Sequence, residues 1–338
     1  MMFNRTGKLF NGQGSVEWII VVALVGVALI AGWQSLSSSE GEKIDDVKEV
    51  LADAGGSGGT GGTDGPGSGG EEPEPEPEPE ATSENAYAML YTDGTMIFQI
   101  GDEEDSGHGE LVAKWNNWLD QQPTTLLDVW WNGEAANIRS VKFKDRMAPR
   151  STACWFQECV NLTSFDAANL DMSRVTDMDN MFRGCRSIET LDLSGLDVSG
   201  VTSMRYVFED CNTLKTLNVS GWDTGSATTM NNLFNDCRLL SGIDVSGWDT
   251  SKVTNMAGVF EDCNALERID ISSWDMSAVT DVTWLFHNCA SLKEIKTGTG
   301  FKVATIHLNW ISGIWKNSSG KTITQLTFPS GVADTYTR

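Results

Sequence analysis

Residues 197–222 read DVSGVTSMRYVFEDCNTLKTLNVSGW. Cys211, inside this stretch, belongs to a series at a step of 26 residues: Cys159, Cys185, Cys211, Cys237, Cys263 and Cys289. A phenylalanine stands three residues before each, from Phe156 to Phe286, and an aliphatic residue three after, from Leu162 to Leu292. So strict a period means stacked copies of one supersecondary unit, each too small to bury its own apolar face. It settles the architecture of nearly half the chain and points away from an enzyme cleft.

Within the unit, Val201, Met204, Val207, Phe208 and Cys211 recur at three and four, the spacing of one helical face. Thr202 precedes that run, where its hydroxyl would cap the helix, and Thr176, Thr228, Thr254 and Thr280 repeat it. The segment Leu214-Lys-Thr-Leu217-Asn-Val219 then gives L-x-x-L-x-L, recurring from Ile188 and from Leu266. This is similar to the strand of leucine-rich repeats, leucines inward and the intervening residues outward. The expected fold class is therefore α/β: a curved, right-handed solenoid of five to six repeats over residues 153–300, strands on one face and short helices on the other. Degenerate strands, Ile138-x-x-Val141-x-Phe143 before it and Ile323-x-x-Leu326-x-Phe328 after it, would form atypical β-rich caps over 84–152 and 301–338. In the first cap, Asp93-Gly94 suits a type I′ hairpin turn between Tyr87–Tyr91 and Met96–Ile100. Trp115, Trp118, Trp130 and Trp131 read as cap packing before they read as a sugar platform.

The cysteines invite a disulfide framework, but six lie at one repeat position between Phe and an aliphatic residue, where a small buried hydrophobe is the better account. Cys154 stands outside the ladder and is the candidate for reactivity or pairing. The absence of C-x-x-C and the presence of only three histidines argue against zinc, against a Cys-His or Ser-His-Asp triad, and for no cofactor. Asp171, Asp197, Asp223, Asp249 and Asp275 share one position, where aspartate closes its own turn more often than it binds calcium. Trp222, Trp248 and Trp274 take a position held earlier by Leu170 and Leu196, which marks packing first and sugar stacking second.

Acids outnumber bases 47 to 24, a formal charge of −23 that excludes nucleic acid and anionic membrane surfaces as partners. The candidate ligand face is the outward strand side. Asp192, Asn218, Asp244, Asp270 and Lys296 form one row there, and Thr190, Thr216, Gly242, Arg268 and Glu294 its neighbour. Repeated acids in a row do not supply two carboxylates opposed across a cleft, so a binding protein rather than an enzyme is expected.

The N-terminal residues have a different character. Arg5 and Lys8 precede WIIVVALVGVALIAGW, Trp18–Trp33, an uncharged run of about 24 Å at helical rise that residues 16–36 would extend across a membrane. Glu40, Glu42, Asp45 and Asp46 follow, which orients the N-terminus inside and the rest outside. Ile44, Val47 and Leu51 continue an amphipathic helix to about residue 53. Gly55–Gly70, almost wholly Gly, Ser and Thr, then gives a flexible coil, and Glu72–Glu80 a stiffer Glu-Pro stretch of about 25–30 Å. Together they read as a disordered linker over 54–83.

Two resemblances follow from these motifs. Segments such as LSGLDVSGVTSMRYVFEDC, with the lead-in AYAMLYTDGTMIFQIG and the tail WKNSSGKTITQLTFPSGVADTY, resemble BspA-type leucine-rich-repeat surface proteins over residues 84–338. That likeness implies an extracellular adhesin whose partner is a host or bacterial surface protein or glycan. GQGSVEW ahead of the apolar run resembles Flp/Tad-type (type IV) prepilins, with Trp18 where tyrosine is usual. It implies a leader of residues 1–12, cleavage by prepilin peptidase between Gly12 and Gln13, and Glu17 pairing with a neighbouring pilin subunit's amine over a helix of residues 13–53. A glutamate at the edge of an apolar span is costly in lipid and calls for such a reason. A plain single-pass anchor and a secretory signal peptide are the alternatives, the latter without an A-x-A-like site.

Overall fold

Each coil consists of a short strand followed by a succession of tight turns, as seen in a computed structural model that describes residues 79–129, 131–302, 314–323 and 331–338. These residues belong to a unit spanning Glu76–Arg338. The prepilin-like motif, the apolar run, most of the linker, Trp130, Leu326 and Phe328 lie outside the described residues.

The hydrophobic period positions the strands as expected. Strands β5 (Ser164–Asp166), β6 (Thr190–Asp192), β7 (Thr216–Asn218), β8 (Arg268–Ile271) and β9 (Glu294–Thr297) occupy one side of about six coils. β6 pairs in parallel with β7, Leu191 opposite Leu217, and β8 with β9, Ile269 opposite Ile295. The intervening copy, Gly242-Ile243-Asp244, makes no regular strand, in keeping with the weakness of glycine in a strand.

The helical side is corrected. Among the described residues there is no α-helix, only three short 3₁₀ segments outside the repeats, and the solenoid is all-β with turns. In the Val201–Cys211 segment, Met204, Tyr206, Phe208 and Asp210 donate their N–H groups to Thr229, Asn231, Leu233 and Asn235 of the next coil, at 2.9–3.1 Å. The alternate N–H groups close three-residue turns, as from Cys211 to the Phe208 carbonyl at 3.1 Å. Two left-handed residues per coil break any helix: Tyr206 at φ 60° and Asp210 at φ 59°. A run of such turns also points one residue in three or four inward, so the spacing fits both structures. The stack favours turns because they bond each coil to the next, whereas a helix would satisfy itself alone. Nor do the threonines act as helix caps. Thr202, Thr228, Thr254 and Thr280 donate their hydroxyls to the carbonyl of the threonine one coil earlier at 3.0–3.1 Å.

Inside, the ladder packs on itself. Phe156, Phe182, Phe208, Phe234, Phe260 and Phe286 stack with centroids 5.4–5.8 Å apart. Trp222, Trp248 and Trp274 form a second, buried column, so packing takes precedence over sugar stacking. All seven cysteines are free and buried. From Cys185 onward each ladder thiol donates to the carbonyl of a phenylalanine in the preceding coil at 3.0–3.2 Å. Cysteine thus supplies a small apolar volume and a weak donor together.

Cys154 is likewise corrected. It occupies the left-handed repeat position of Asn180, Tyr206, Asn232, Gly258 and Trp284, with φ 60°. Its N–H bonds the Asp179 carbonyl at 2.8 Å. Burial pushes its thiol up to about 11, away from reactive thiolate character.

The first cap continues the sheet. Strands β1 (Ala86–Tyr91) and β2 (Thr95–Ile100) form the expected hairpin, and β3 (Leu111–Trp115) flanks β1. β2 runs parallel to β4 (Ser140–Phe143), the degenerate strand, which pairs with β5. The hairpin turn is not type I′, because Gly94 alone has positive φ, at 87°. It is a tight turn closed by Gly94 N–H to the Tyr91 carbonyl, 2.9 Å, with the glycine following in the left-handed region. Trp118 and Trp131 are buried against Trp155 at 5.5 and 5.8 Å, sealing the end of the aromatic column. At the other end β10 (Trp315–Lys316), β11 (Thr322–Ile323) and β12 (Asp334–Thr337) pair antiparallel, and β12 lies antiparallel on β9.

Candidate ligand-binding faces of the solenoid

Parallel register brings the strand-face residues into the expected rows. Asp192 lies opposite Asn218, and Arg268 and Asp270 opposite Glu294 and Lys296. Asp244 belongs to the copy without a regular strand. The row's first task is local. The Oδ1 atoms of Asp192, Asp244 and Asp270 accept from the N–H and hydroxyl of Ser194, Ser246 and Ser272 at 2.6–3.0 Å. Asn218 accepts from the Ser220 N–H at 3.1 Å. These bonds lower the Asp192 and Asp244 carboxyls, since they favour the charged form. The Asp/Asn-x-Ser pattern is visible in the sequence, and it marks these residues as turn-closers.

The expected basic spots at the C-terminal end are largely neutralised. Lys296 pairs with Asp270 at 2.7 Å and Lys293 with Glu267 at 3.1 Å, as Lys215 does with Glu189 at 2.8 Å. Arg268 makes no ion pair among the described residues. Exposed pairs of this kind contribute little to stability, but they set the charge pattern a partner meets. A shallow hollow of about 380 Å³ opens on this face beside Asp166 and Asp192, where Ala167, Ala168 and Gly195 leave space. Ala167 stands where later copies have Leu193, Val219, Val245 and Ile271.

The second aspartate row behaves as turn chemistry. Asp171, Asp197, Asp249 and Asp275 each accept from the N–H of the serine two residues on at 2.9–3.0 Å, and Asp223 from Gly225. Among the described residues no three His, Cys, Asp or Glu side chains gather as a metal-binding group.

A third feature was not legible in the sequence. A groove of about 290 Å³ lies between the cap loop Gln122–Thr124 and the turn side of the first coils. The loop is far from those coils in sequence, so no spacing signals the encounter. Asp120 anchors it, accepting from Ser83, Arg150 and Arg174 at 2.6–3.1 Å. Asp128 holds Thr124 and Thr125 through four bonds of 2.8–3.1 Å.

Among known families, one described as "Mycoplasma protein of unknown function, DUF285" matches residues 151–244 and 210–309, together just under half of the chain. No curated protein matches. Of solved structures, a leucine-rich repeat protein from Eubacterium ventriosum is similar at 13% identity and TM-score 0.20, covering 66% of this chain and 89% of that one. A leucine-rich cell surface protein from Faecalibacterium prausnitzii is similar at 15% and 0.19, covering 63% and 81%. At such depth these likenesses leave the fold to be read from the coils themselves. The repeat region, residues 151–309, is what this chain has in common with the DUF285 family.

Proposed function

We propose that the chain is a surface-displayed, ligand-binding repeat protein carried on a pilin-like N-terminal helix as a minor subunit of, or companion to, a pilus. The observation that carries the binding role is the strand face. Its parallel strand pairs each present two outward side chains per coil in fixed register, with paired charges, an Arg268 that has no ion pair among the described residues, and a hollow at Asp166 and Asp192. Solenoids use extended faces of this kind to bind partners. A host or bacterial surface protein or glycan is the partner class, and no catalytic role is assigned. The anchor reading rests on Gly12, Gln13, Glu17 and Trp18 in the sequence, and on a Gly-rich and Glu-Pro linker suited to holding a bulky domain away from its base. It places the repeat domain outside the cytoplasmic membrane.

Two measurements test it. Sequencing the mature N-terminus should find Gln13 first, with Gly12→Val abolishing both cleavage and recovery in sheared filaments. An intact Met1, or cleavage near residue 32, refutes the pilin part and leaves a plain membrane-anchored repeat protein. Screening the full chain against arrayed matrix proteins and glycans, beside the R268A/D270A/K296A variant, tests the face. Binding unchanged in that variant refutes the strand face as the site.

A further inference from the structure

The groove under the cap loop has a chemistry of its own. Three successive coils contribute to it: Ser151 from the first, Thr176 and Asp177 from the second, Thr202 and Ser203 from the third. Three of these four hydroxyl protons are already committed. Ser151 Oγ donates to the Asp177 carbonyl at 3.3 Å, Thr202 Oγ1 to the Thr176 carbonyl at 3.0 Å, and Ser203 Oγ to Asp179 at 2.6 Å. What those three retain is lone pairs. Asp177 adds more. Its Oδ1 accepts from the Asp179 N–H at 2.9 Å, and its Oδ2 has no partner among the described residues. Burial pushes this carboxyl up, beside the like charge of Asp179.

The cations at the groove are spoken for. Arg205 Nε bonds Asp179 at 2.7 Å, and Arg150 Nε bonds Asp120 at 3.1 Å. An anionic ligand therefore meets guanidinium charge that Asp179 and Asp120 already balance, and an apolar side chain meets a lining that is polar apart from Pro123. What fits is a neutral molecule dense in O–H donors. Adjacent sugar hydroxyls can donate as a pair to a carboxylate. Because the loop is pinned at Asp120 and Asp128, the cavity is preformed and little ordering is lost on binding.

We infer that this groove is a carbohydrate subsite for a ring of a neutral glycan, with the Asp177 carboxylate as the central acceptor. It is separate from the strand face and does not depend on that face binding anything. The test uses the full chain in detergent micelles against an array of neutral hexose and N-acetylhexosamine oligomers, with acidic oligosaccharides and an immobilised polyamine as counter-probes. Asp177→Asn keeps the Oδ1 acceptor that the turn needs, and Gln122→Trp fills the mouth from an exposed loop position. The expected result is retention on neutral oligomers, weakened about tenfold or more by Asp177→Asn, as for one lost charge-assisted hydrogen bond. Gln122→Trp should weaken it similarly, and R268A/D270A/K296A should leave it unchanged. Retention on no neutral oligomer, a preference for the acidic or polyamine probes, or binding indifferent to both groove variants would overturn the inference. Loss in the strand-face variant alone would overturn it too, while supporting the strand-face reading.

Discussion

The left-handed residues offer the sharpest test of the fold, because turns and helix demand opposite responses there. Trp284 has φ 61°, is 47% exposed, and touches His287 at a centroid distance of 6.1 Å. Replacing it with alanine or with glycine removes the same ring, so the two variants differ only by a Cβ. In the left-handed region that Cβ costs about 1–2 kcal/mol against the following carbonyl. The greater freedom of glycine in the unfolded chain returns about 0.5–1 kcal/mol of this. Trp284→Gly should therefore be the more stable variant by about 1 kcal/mol. Were the segment helical, alanine would lead by about 1 kcal/mol instead. The same pair at Tyr206, φ 60°, repeats the comparison in a central coil. Gly258, φ 64°, shows that the position accepts glycine naturally. Guanidinium titration followed by circular dichroism, compared at a common slope, measures the difference. Alanine variants equal to or more stable than the glycine variants at both sites would refute the turn architecture.

Three further outcomes follow from the coils. Deleting Asp197–Trp222 removes one whole period and sets Phe182 against Phe234, so the shortened chain should fold with unchanged dichroism per residue and a lower midpoint. Deleting one residue fewer should unfold the coils beyond it by turning inward positions outward; equal behaviour of the two deletions would refute the register. All seven thiols should resist maleimide at pH about 8 in the native chain and react fully in guanidinium, because burial holds Cys154 at about 11 and Cys211 at about 12; rapid native labelling of Cys154 would contradict its placement. Acid should destabilise the fold. The Ser199 side chain and N–H lower the Asp197 carboxyl, and the N–H and side chains of Ser251 and Ser277 lower Asp249 and Asp275. With folded values below the ordinary 3.8, their contribution is present above that pH and is lost as pH falls through the folded values. The D197N/D249N/D275N variant keeps the turn acceptors and should show a shallower acid limb in a thermal-melt series, and an identical limb would refute the linkage.

Much of the architecture was legible because each inward residue recurs at the same step. Phe208, Cys211, Leu214 and Leu217 are buried together, and so are their copies. The parallel strands, the β1–β2 hairpin and the tryptophan seal at Trp118 and Trp131 followed from pattern and composition. The helix did not survive because inward spacing alone does not distinguish one helical face from a chain of tight turns. The deciding signal was the left-handed position, and its occupants hide it. Asn180 and Asn232 suit it and Gly258 favours it, but Tyr206 and Trp284 give no warning. At the candidate sites the strand rows were readable by counting, whereas the bonds from Ser194, Ser246 and Ser272 that occupy their acids needed the local pattern Asp-x-Ser. The groove needed a loop and three coils to meet, which no repeat count contains.

Comparing the copies with one another separates stack from surface. Positions that hold one residue type through every coil serve the stack: the Phe and Cys columns, and the threonines from Thr176 to Thr280 that bond coil to coil. These bonds consume donors. Many Thr and Ser hydroxyl protons and the ladder Cys thiol protons go to carbonyls or carboxylates of the same or neighbouring coil, and most strand-face lysines go to acids. The surface left over is rich in acceptors, which gives the formal charge of −23 a structural meaning beyond its sign. A partner of such a surface must bring donors, and it must tolerate negative potential without carrying negative charge. Positions that change from copy to copy then set where it docks. Asp177, Ser203, Thr229, Asn255 and Asp281 vary along one row, and Glu189, Lys215, Ser241, Glu267 and Lys293 along another. At the first row a pinned loop turns the varying edge into a cavity, and the half-buried Asp177 there has a second oxygen that the stack has not used.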